Sequence, residues 1–233
     1  MLSRVANRLI RHWPSQCGVC RQWGSSALCA DCVGRFAAPV TRCTRCGLRL
    51  GLAGAICGGC LREPPAFVQT HCAVDYSFPW RRVIAAFKFE DRLDWAPALA
   101  GLLHRALPAE PEVDLVLPIP LSDQRQAQRG YNQAWELARR AAALCHLPAH
   151  QDILLRPWDT AHQADLGRRE RQENLRRAFM VDPRQRHLLQ GRRVALVDDV
   201  MTTGATAQEA SAVLLRAGAS SVQIWVLART EGH

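Results

Sequence analysis

The sequence predicts an α/β protein in which a mostly parallel sheet, with helices on both faces, follows a small cysteine-rich module. After Pro65, short apolar runs alternate with helical patterns, which is typical of parallel sheets covered by helices. Before Glu63, eight of the ten cysteines form four Cys-x-x-Cys pairs, and apolar periodicity is weak. We therefore expect a cysteine-rich module over residues 1–63 and an α/β domain over residues 66–233.

Apolar periodicity predicts the individual elements of the α/β domain. Strands are expected at Thr70–Tyr76, Asp114–Leu117, Ile153–Leu155, Val194–Val197 and Val222–Leu227. Helices are expected from Pro79 through Phe87, at Leu99–Leu107, from the cap residue Asn132 to Leu144, and from Thr206 to Gly218. For the last helix, Thr206 with Glu209 matches a capping box, and Gly218 suits the C-terminal end.

The cysteine pairs predict two structural zinc sites. Each Cys-x-x-Cys turn offers two thiolates to one ion, and two turns complete a tetrahedral set with Zn–S distances of about 2.3 Å. Sequential pairing of the turns is the simplest arrangement, and interleaved pairing stays open. The sequential sites are Cys17, Cys20, Cys29 and Cys32 for the first and Cys43, Cys46, Cys57 and Cys60 for the second. Cys72 and Cys145 stand alone and are expected in the core.

Disulfide bonds are the main alternative to metal for these cysteines. The residues before Cys17 include Arg4, Arg8 and Arg11 and lack the continuous apolar stretch of a secretory signal. No segment is long enough to span a membrane. We therefore expect a cytoplasmic protein without membrane insertion, in which the thiols stay reduced and bind metal.

Residues 194–206 carry the clearest functional pattern in the chain. The apolar strand Val194–Val197 ends at Asp198 and Asp199, and adjacent acids belong at the open end of a strand, where parallel sheets bind ligands. Small residues follow and lead directly into a helix, so backbone N–H groups can converge there on an anion. These small residues are Thr202, Thr203, Gly204, Ala205 and Thr206. The pattern predicts a site for a phosphorylated sugar.

Cationic side chains provide a third indication. The net charge of +9 comes almost entirely from arginine, and Lys88 is the only lysine. A compact ammonium at the end of a helix is a candidate anion ligand, with chance retention as the alternative. Arg125 and Arg129 form one arginine cluster. A second cluster, Arg168–Arg177, lies in a long connection that is either a lid over the site or a solvated basic face.

The chain resembles the ComF family over almost its whole length. The resemblance rests on the cysteine pairs, Phe87-Lys88-Phe89, Pro118-Ile119-Pro120, Arg129–Gln133, the Gln163–Phe179 segment with Arg171 and Asn174, and the motif from Asp198 to Gly204. It implies a type I phosphoribosyltransferase-like domain that binds phosphoribosyl pyrophosphate with magnesium. Asp198 and Asp199 would bind the ribose hydroxyls as the catalytic candidates, and residues 202–206 would bind the 5-phosphate. The resemblance also implies a link to natural competence, with single-stranded DNA and competence-machinery proteins as partners.

One loop departs from general phosphoribosyltransferases, whose pyrophosphate loop normally carries glycine. Here the corresponding loop reads Pro118-Ile119-Pro120-Leu121-Ser122, and two prolines remove two amide donors. We therefore expect pyrophosphate to depend more on Lys88, Arg125 and Arg129.

Two hypotheses of function remain at this point. The first is a magnesium-assisted phosphoribosyltransferase whose acceptor the sequence does not reveal. The second is a non-catalytic protein that handles nucleic acid or senses a ligand in the sugar-phosphate pocket, with Trp13, Trp23 and Phe36 stacking on bases or packing around the zinc sites. A nucleoside triphosphatase is disfavoured because the Gly-x-x-x-x-Gly-Lys-Ser/Thr motif is absent.

Overall fold

A computed structural model describes residues 15–51, 56–157 and 178–231 of the chain. Trp13 and the arginine cluster Arg168–Arg177, with its two alternatives of a lid or a solvated basic face, lie outside these ranges. The N-terminal part contains β1 (Ser15–Gln16), β2 (Trp23–Gly24), α1 (Ala30–Phe36) and α2 (Gly58–Arg62). The remainder contains β3 (Gln69–Asp75), α3 (Trp80–Phe89), α4 (Ala96–His104), β4 (Leu115–Pro118), α5 (Asp123–Arg129), α6 (Gln133–Leu144), β5 (Leu154–Leu155), β6 (Met180–Val181), β7 (Arg193–Met201), α7 (Ala205–Ala217) and β8 (Ser221–Arg229).

Four strands form a parallel sheet in the order β3-β8-β7-β4, which confirms the predicted fold class. The two central strands read as nearly continuous apolar runs because both of their faces are buried. The strand predicted at Ile153–Leu155 differs from expectation. Its β5 segment pairs antiparallel with β6 in a separate two-stranded sheet.

Helices cover both faces of the parallel sheet. On one face, α3, α4 and α6 pack against Ala195 and Val197 of β7. On the other face, α7 packs against Val194 and Leu196. Because side chains alternate between the faces of a strand, Asp198 continues the α7 side and Asp199 continues the α3 side. The two acids therefore approach the end of the sheet from opposite faces.

The N-terminal part contains two similar units in succession. The β1-β2 hairpin precedes α1, and an antiparallel bridge between Arg42 and Arg49 precedes α2. Each helix begins directly after a cysteine, Cys29 for α1 and Cys57 for α2. Within the three described ranges, every helix is too short or too polar to cross a lipid bilayer.

Short helix α5 was not predicted. Its sequence has no apolar stripe, so hydrophobic periodicity does not reveal it. The signal lies in its ends: Ser122 Oγ accepts a hydrogen bond from Arg125 N at 3.4 Å, and Gly130 ends the helix with a φ of +73°. The helix leads from the end of β4 to Asn132, which is the N-cap of α6 as expected.

Replacing Asn132 by alanine is expected to lower the free energy of unfolding by about 1–2 kcal/mol. The Asn132 Oδ1 atom accepts from the amides of Ala134 and Trp135 at 2.9 and 3.4 Å, while Nδ2 donates to the Ile119 carbonyl at 3.1 Å. Urea denaturation of the two variants Asn132→Ala and Asn132→Asp separates these functions. Aspartate keeps the oxygen that caps the helix but lacks the donor to Ile119, so we expect its loss of unfolding free energy to lie between zero and that of Asn132→Ala. Equal losses for the two variants would contradict the role of the cap.

Candidate functional site

The loop between β7 and α7 ends at Gly204, whose φ of +85° lies in the left-handed region that favours glycine. Gly204 is also the N-cap of α7 and has no side chain that could cap the helix. The predicted capping box of Thr206 and Glu209 is therefore wrong, because Thr206 already lies in the first helical turn. The Ala205 amide donates to Thr203 Oγ1 at 3.3 Å. The other amides of the first turn and the positive end of the helix dipole favour an anion at this position.

Asp198 lies beside this helix end. A small cavity brings it together with Ile119 and with residues of the loop and first helical turn, namely Thr202, Gly204, Ala205 and Thr206. The Asp198 Oδ1 atom accepts a hydrogen bond from the backbone N–H of Asp199 at 2.8 Å. Burial and the neighbouring Asp199 carboxylate raise the pKa of Asp198 well above its usual range, and the Lys88 ammonium partly offsets this rise.

Asp199 binds a different partner on the opposite face of the strand. Its Oδ1 atom forms an ion pair with Lys88 Nζ at 2.8 Å, and its side chain is only 9% exposed. Lys88 reaches this position from the last turn of α3. The structure therefore brings Lys88, the only lysine in the sequence, into contact with Asp199. The sequence alone identified Lys88 as a candidate anion ligand but did not predict this contact.

A hydrogen-bond network connects the end of α3 to the segment between α5 and α6. Gln133 Nε2 donates to the Lys88 carbonyl at 3.3 Å, and Tyr131 Oη donates to the Phe87 carbonyl at 2.5 Å. Arg129 Nη1 donates to Gln133 Oε1 at 3.0 Å, and its guanidinium lies 4.9 Å from the centre of the Phe89 ring. Arg129 is thus held beside the helix end that carries Lys88.

Arg125 lies one helical turn before Arg129 on α5, so the two arginines share a helix face. In the loop that precedes them, Pro118 and Pro120 have no amide hydrogen, and Ile119 N donates to the Val197 carbonyl at 2.8 Å. The backbone of Pro118-Ile119-Pro120 consequently has no spare N–H for a phosphate. That pyrophosphate depends on cationic side chains at this loop stays a prediction.

The eight paired cysteines form two clusters in sequential order. In each cluster, the four Sγ atoms all lie within 4.8 Å of one another. The first cluster contains Cys17, Cys20, Cys29 and Cys32, and the second contains Cys43, Cys46, Cys57 and Cys60. Sulfur separations are 3.8 Å for Cys20–Cys29 and 3.7 Å for Cys46–Cys57. Four Zn–S bonds of about 2.3 Å in a tetrahedron require about this separation, so each cluster can hold zinc.

Backbone amides prepare both clusters for metal. Burial disfavours the Cys17 thiolate, but hydrogen bonds from the amides of Cys29, Cys20 and Val19 outweigh this effect and lower the pKa of Cys17 to about 6. The same balance of burial against amide hydrogen bonds lowers the pKa of Cys43 to about 7. Burial and the neighbouring thiols raise the pKa of Cys32 and Cys60 in the same clusters. A metal needs deprotonated thiolates, so binding must displace the protons of these two positions.

Arg229 at the end of β8 was not predicted as part of the site. The residue is 6% exposed, and its guanidinium donates to carbonyl groups at the start of the 202–206 loop. The sequence signal that could have identified Arg229 is a charged residue at the end of an apolar strand. Neighbouring parallel strands end at the same edge of a sheet, so this residue is expected near the end of β7.

A family model and several known proteins match this chain. The model of the phosphoribosyl transferase domain family matches residues 84–232. Among solved structures, the purine phosphoribosyltransferase from Pyrococcus horikoshii superposes with a TM-score of 0.32 at 19% identity, covering 59% of this chain and 73% of that one. The family match, the parallel sheet and the Asp-Asp loop define a phosphoribosyltransferase-type protein.

Three relatives extend the match to the cysteine-rich part. The DNA utilization protein YhgH of Escherichia coli K12 is 34% identical over 93% of this chain and 98% of its own length. Competence protein F of Haemophilus influenzae is 32% identical, covering 88% and 91%. Competence protein ComFC of Bacillus subtilis is 27% identical, covering 81% and 78%. The chain belongs to the ComF family of phosphoribosyltransferase-like proteins.

Proposed function

We propose that this protein is a phosphoribosyltransferase that binds phosphoribosyl pyrophosphate at the end of β7. The observation that carries the proposal is the cavity shared by Asp198 and the start of α7. Asp198 and Asp199 accept hydrogen bonds from the ribose hydroxyls, and Thr202, Thr203, Gly204, Ala205 and Thr206 surround the 5-phosphate. A carboxylate pair for a diol and backbone amides for a dianion match the two ends of a ribose 5-phosphate.

Lys88, Arg125 and Arg129 stabilise the departing pyrophosphate. Lys88 contacts Asp199 at 2.8 Å, and a diphosphate carries more negative charge than one carboxylate, so the ammonium can leave the acid for the ligand. Release of Asp199 from Lys88 frees its carboxylate for a ribose hydroxyl. The ion pair therefore occupies the Asp199 carboxylate until the ligand binds.

Magnesium fits this site because the carboxylates at the end of β7 and the ligand's own oxygens are hard donors. When bound, the ion would neutralise charge on the leaving pyrophosphate. The protein's own contribution is to orient the ribose, to anchor the 5-phosphate and to bring cationic side chains to the diphosphate. Zinc in the two cysteine clusters is structural in this proposal.

Isothermal titration of the zinc-loaded protein with phosphoribosyl pyrophosphate, with and without magnesium, tests the proposed function. We expect saturable binding that strengthens with magnesium, and weaker binding of ribose 5-phosphate, which lacks the diphosphate. No heat of binding from folded protein that holds two zinc ions per chain would refute the proposal.

The affinity for phosphoribosyl pyrophosphate is expected to rise with pH. The raised pKa of Asp198 keeps part of the population protonated, and only the carboxylate accepts from two hydroxyls, so binding improves as the proton leaves. Asp199→Asn removes the like charge and leaves the Lys88 ammonium nearby, so the midpoint should move to lower pH. Both proteins are titrated with the ligand from pH 5 to 9. The ligand's own ionisation is the same in both series, so a difference between the two midpoints comes from the protein. An unmoved midpoint would contradict this origin of the pH dependence.

The context of the reaction is also proposed by analogy with the relatives. Their printed names refer to DNA utilization and to competence. We propose a cytoplasmic role connected with natural competence and single-stranded DNA, together with protein partners of the competence machinery. Reduced cysteines suit that compartment.

A second candidate function, binding of single-stranded nucleic acid without catalysis, is favoured by one observation. Trp23 is 69% exposed beside the first cluster, whereas Phe36 packs edge to face against Phe78 with ring centres 5.9 Å apart. Trp23 is thus free to stack on a base, and Phe36 is used in packing.

Trp23→Ala is expected to weaken binding of a single-stranded oligonucleotide by about 1–3 kcal/mol if this surface binds DNA. Leu144→Ala, which shortens an exposed apolar side chain at the end of α6, serves as the control and should leave the affinity within twofold. Fluorescence anisotropy measures the affinity of both variants for the oligonucleotide. Repeating it at several salt concentrations gives the contribution of contacts with the DNA phosphates. Equal affinities for wild type and Trp23→Ala would remove this candidate.

A further inference from the structure

The second cysteine cluster is connected to the 202–206 loop by one buried guanidinium. Arg229 Nε donates to the Cys46 carbonyl at 3.0 Å. The Nη1 atom of the same side chain donates to the Met201 carbonyl at 3.2 Å, to the Thr202 carbonyl, and to the Thr230 carbonyl at 3.0 Å. Cys46 is a member of the second cluster, and Met201 and Thr202 lead into the loop.

From this contact we propose that metal at the second cluster holds the 202–206 loop in place through Arg229. The inference rests on the proposed function for its effect on phosphoribosyl pyrophosphate, because that loop is the proposed 5-phosphate site. Arg229 is then a positioning residue. It touches no ligand and acts by fixing the carbonyl groups from which the loop starts.

The chemistry of the guanidinium supports a coupling between the second cluster and the loop. A buried cation needs all of its acceptors, so the Cys46 and Thr202 carbonyls cannot move independently while Arg229 stays between them. The position of the Cys46 carbonyl is set by its turn, in which Gly47 N donates to the Cys43 carbonyl at 2.8 Å. Metal bonds to Cys43 and Cys46 clamp this turn, and their loss lets the carbonyl move.

The second cluster is also attached to the sheet beside Arg229. Thr70 N and Thr70 Oγ1, both from edge strand β3, donate to the carbonyls of Thr44 and Arg45 at 2.9 and 2.6 Å. Both acceptors lie in the turn between Cys43 and Cys46. The turn therefore contacts the sheet on one side and Arg229 on the other, and a change in its shape reaches β8 directly.

The first cluster provides a control within the same molecule. Its segment attaches to the other side of the domain: Trp80 Nε1 of α3 donates to the Phe36 carbonyl at 2.7 Å, and Gly18 lies directly against the Trp95 ring. Among the described residues, the hydrogen bonds of the first cluster's cysteines do not reach residues 201–206. Loss of metal there should leave the loop unchanged.

Hydrogen exchange measured by mass spectrometry tests the coupling without any ligand. Four proteins are compared with the wild type: Cys57→Ser/Cys60→Ser, Cys29→Ser/Cys32→Ser, Arg229→Gln and Arg229→Lys. We expect exchange in peptides covering 201–206 to accelerate about tenfold or more in the second-cluster variant and in both Arg229 variants, but not in the first-cluster variant. Lysine keeps the charge and loses the planar fork, so it should not restore the bridge.

Several outcomes decide the proposal. Zinc content is measured on every sample, and peptides from α6 verify that the domain is folded. Unchanged loop exchange in Arg229→Gln, or equal acceleration by both cluster variants, would overturn the coupling. If Arg229→Gln does not fold, the comparison of the two cluster variants still decides. Titration of the same samples with phosphoribosyl pyrophosphate separates the two proposals, because exchange reports the coupling even if the wild type does not bind that ligand.

Discussion

Replacement of both Asp198 and Asp199 by asparagine is expected to reduce the affinity for phosphoribosyl pyrophosphate by about a hundredfold or more, since each carboxylate gives up charge-assisted hydrogen bonds to the ribose. Asparagine preserves the size and shape of the side chain. The substitutions remove both negative charges and replace one acceptor oxygen of each carboxylate by an NH2 donor, without opening a cavity. Isothermal titration of the double variant against the wild type measures the effect.

Stability measurements show whether a loss of binding is local. Burial penalises the charged form of Asp198, so Asp198→Asn alone is not expected to lower the free energy of unfolding at neutral pH. Asp199→Asn breaks the ion pair with Lys88 and is expected to lower it. Asp114→Asn is the matched control, because this acid binds Arg193 at 2.9 Å at the other end of the sheet. We expect Asp114→Asn to leave ligand affinity unchanged. Unchanged affinity in the Asp198/Asp199 variant would instead exclude the acid pair as the ribose site.

Removal of zinc is expected to have the largest effect on stability. Cysteine clusters take the place of an extensive apolar core in residues 15–62, and zinc bound by cysteines contributes about 10 kcal/mol or more of apparent folding free energy per site. Addition of a strong chelator should therefore unfold the N-terminal part and destabilise the contacts that it makes with α3 and β3. Thermal denaturation followed by circular dichroism, combined with metal analysis, measures both changes.

The two remaining cysteines provide the control for the zinc prediction. Cys72 and Cys145 lie outside both clusters, and burial raises the pKa of each thiol. Substitution of either by serine should leave two zinc ions per chain. Purified protein that contains no metal and keeps the melting temperature of the zinc-loaded form would contradict a structural role for zinc.

Most of the fold could be predicted because its signals are local. Buried central strands require continuous apolar runs, and Val194–Val197 and Val222–Leu227 supply them. Asn132 is recognisable as a cap because its side chain acts on amides two and three residues away. Four Cys-x-x-Cys turns likewise identify two clusters, although only the folded chain shows that neighbouring turns pair.

The parts that could not be predicted depend on contacts between distant segments. Lys88 and Asp199 are separated by more than a hundred residues, and no periodicity shows that α3 ends beside β7. The bridge from Cys46 through Arg229 to Thr202 has the same origin. At the start of α7, the choice of Thr206 as cap failed because Gly204 in a left-handed conformation already ends the loop.

Phosphorus NMR of phosphoribosyl pyrophosphate during titration with the zinc-loaded protein tests the central claim most directly, because it distinguishes the 5-phosphate from the diphosphate. We expect both groups to shift or broaden with the wild type. With Lys88→Met, the 5-phosphate should still respond while the diphosphate response weakens. Unchanged 5-phosphate signals at protein concentrations equal to that of the ligand would contradict the assignment of residues 202–206 as its binding site.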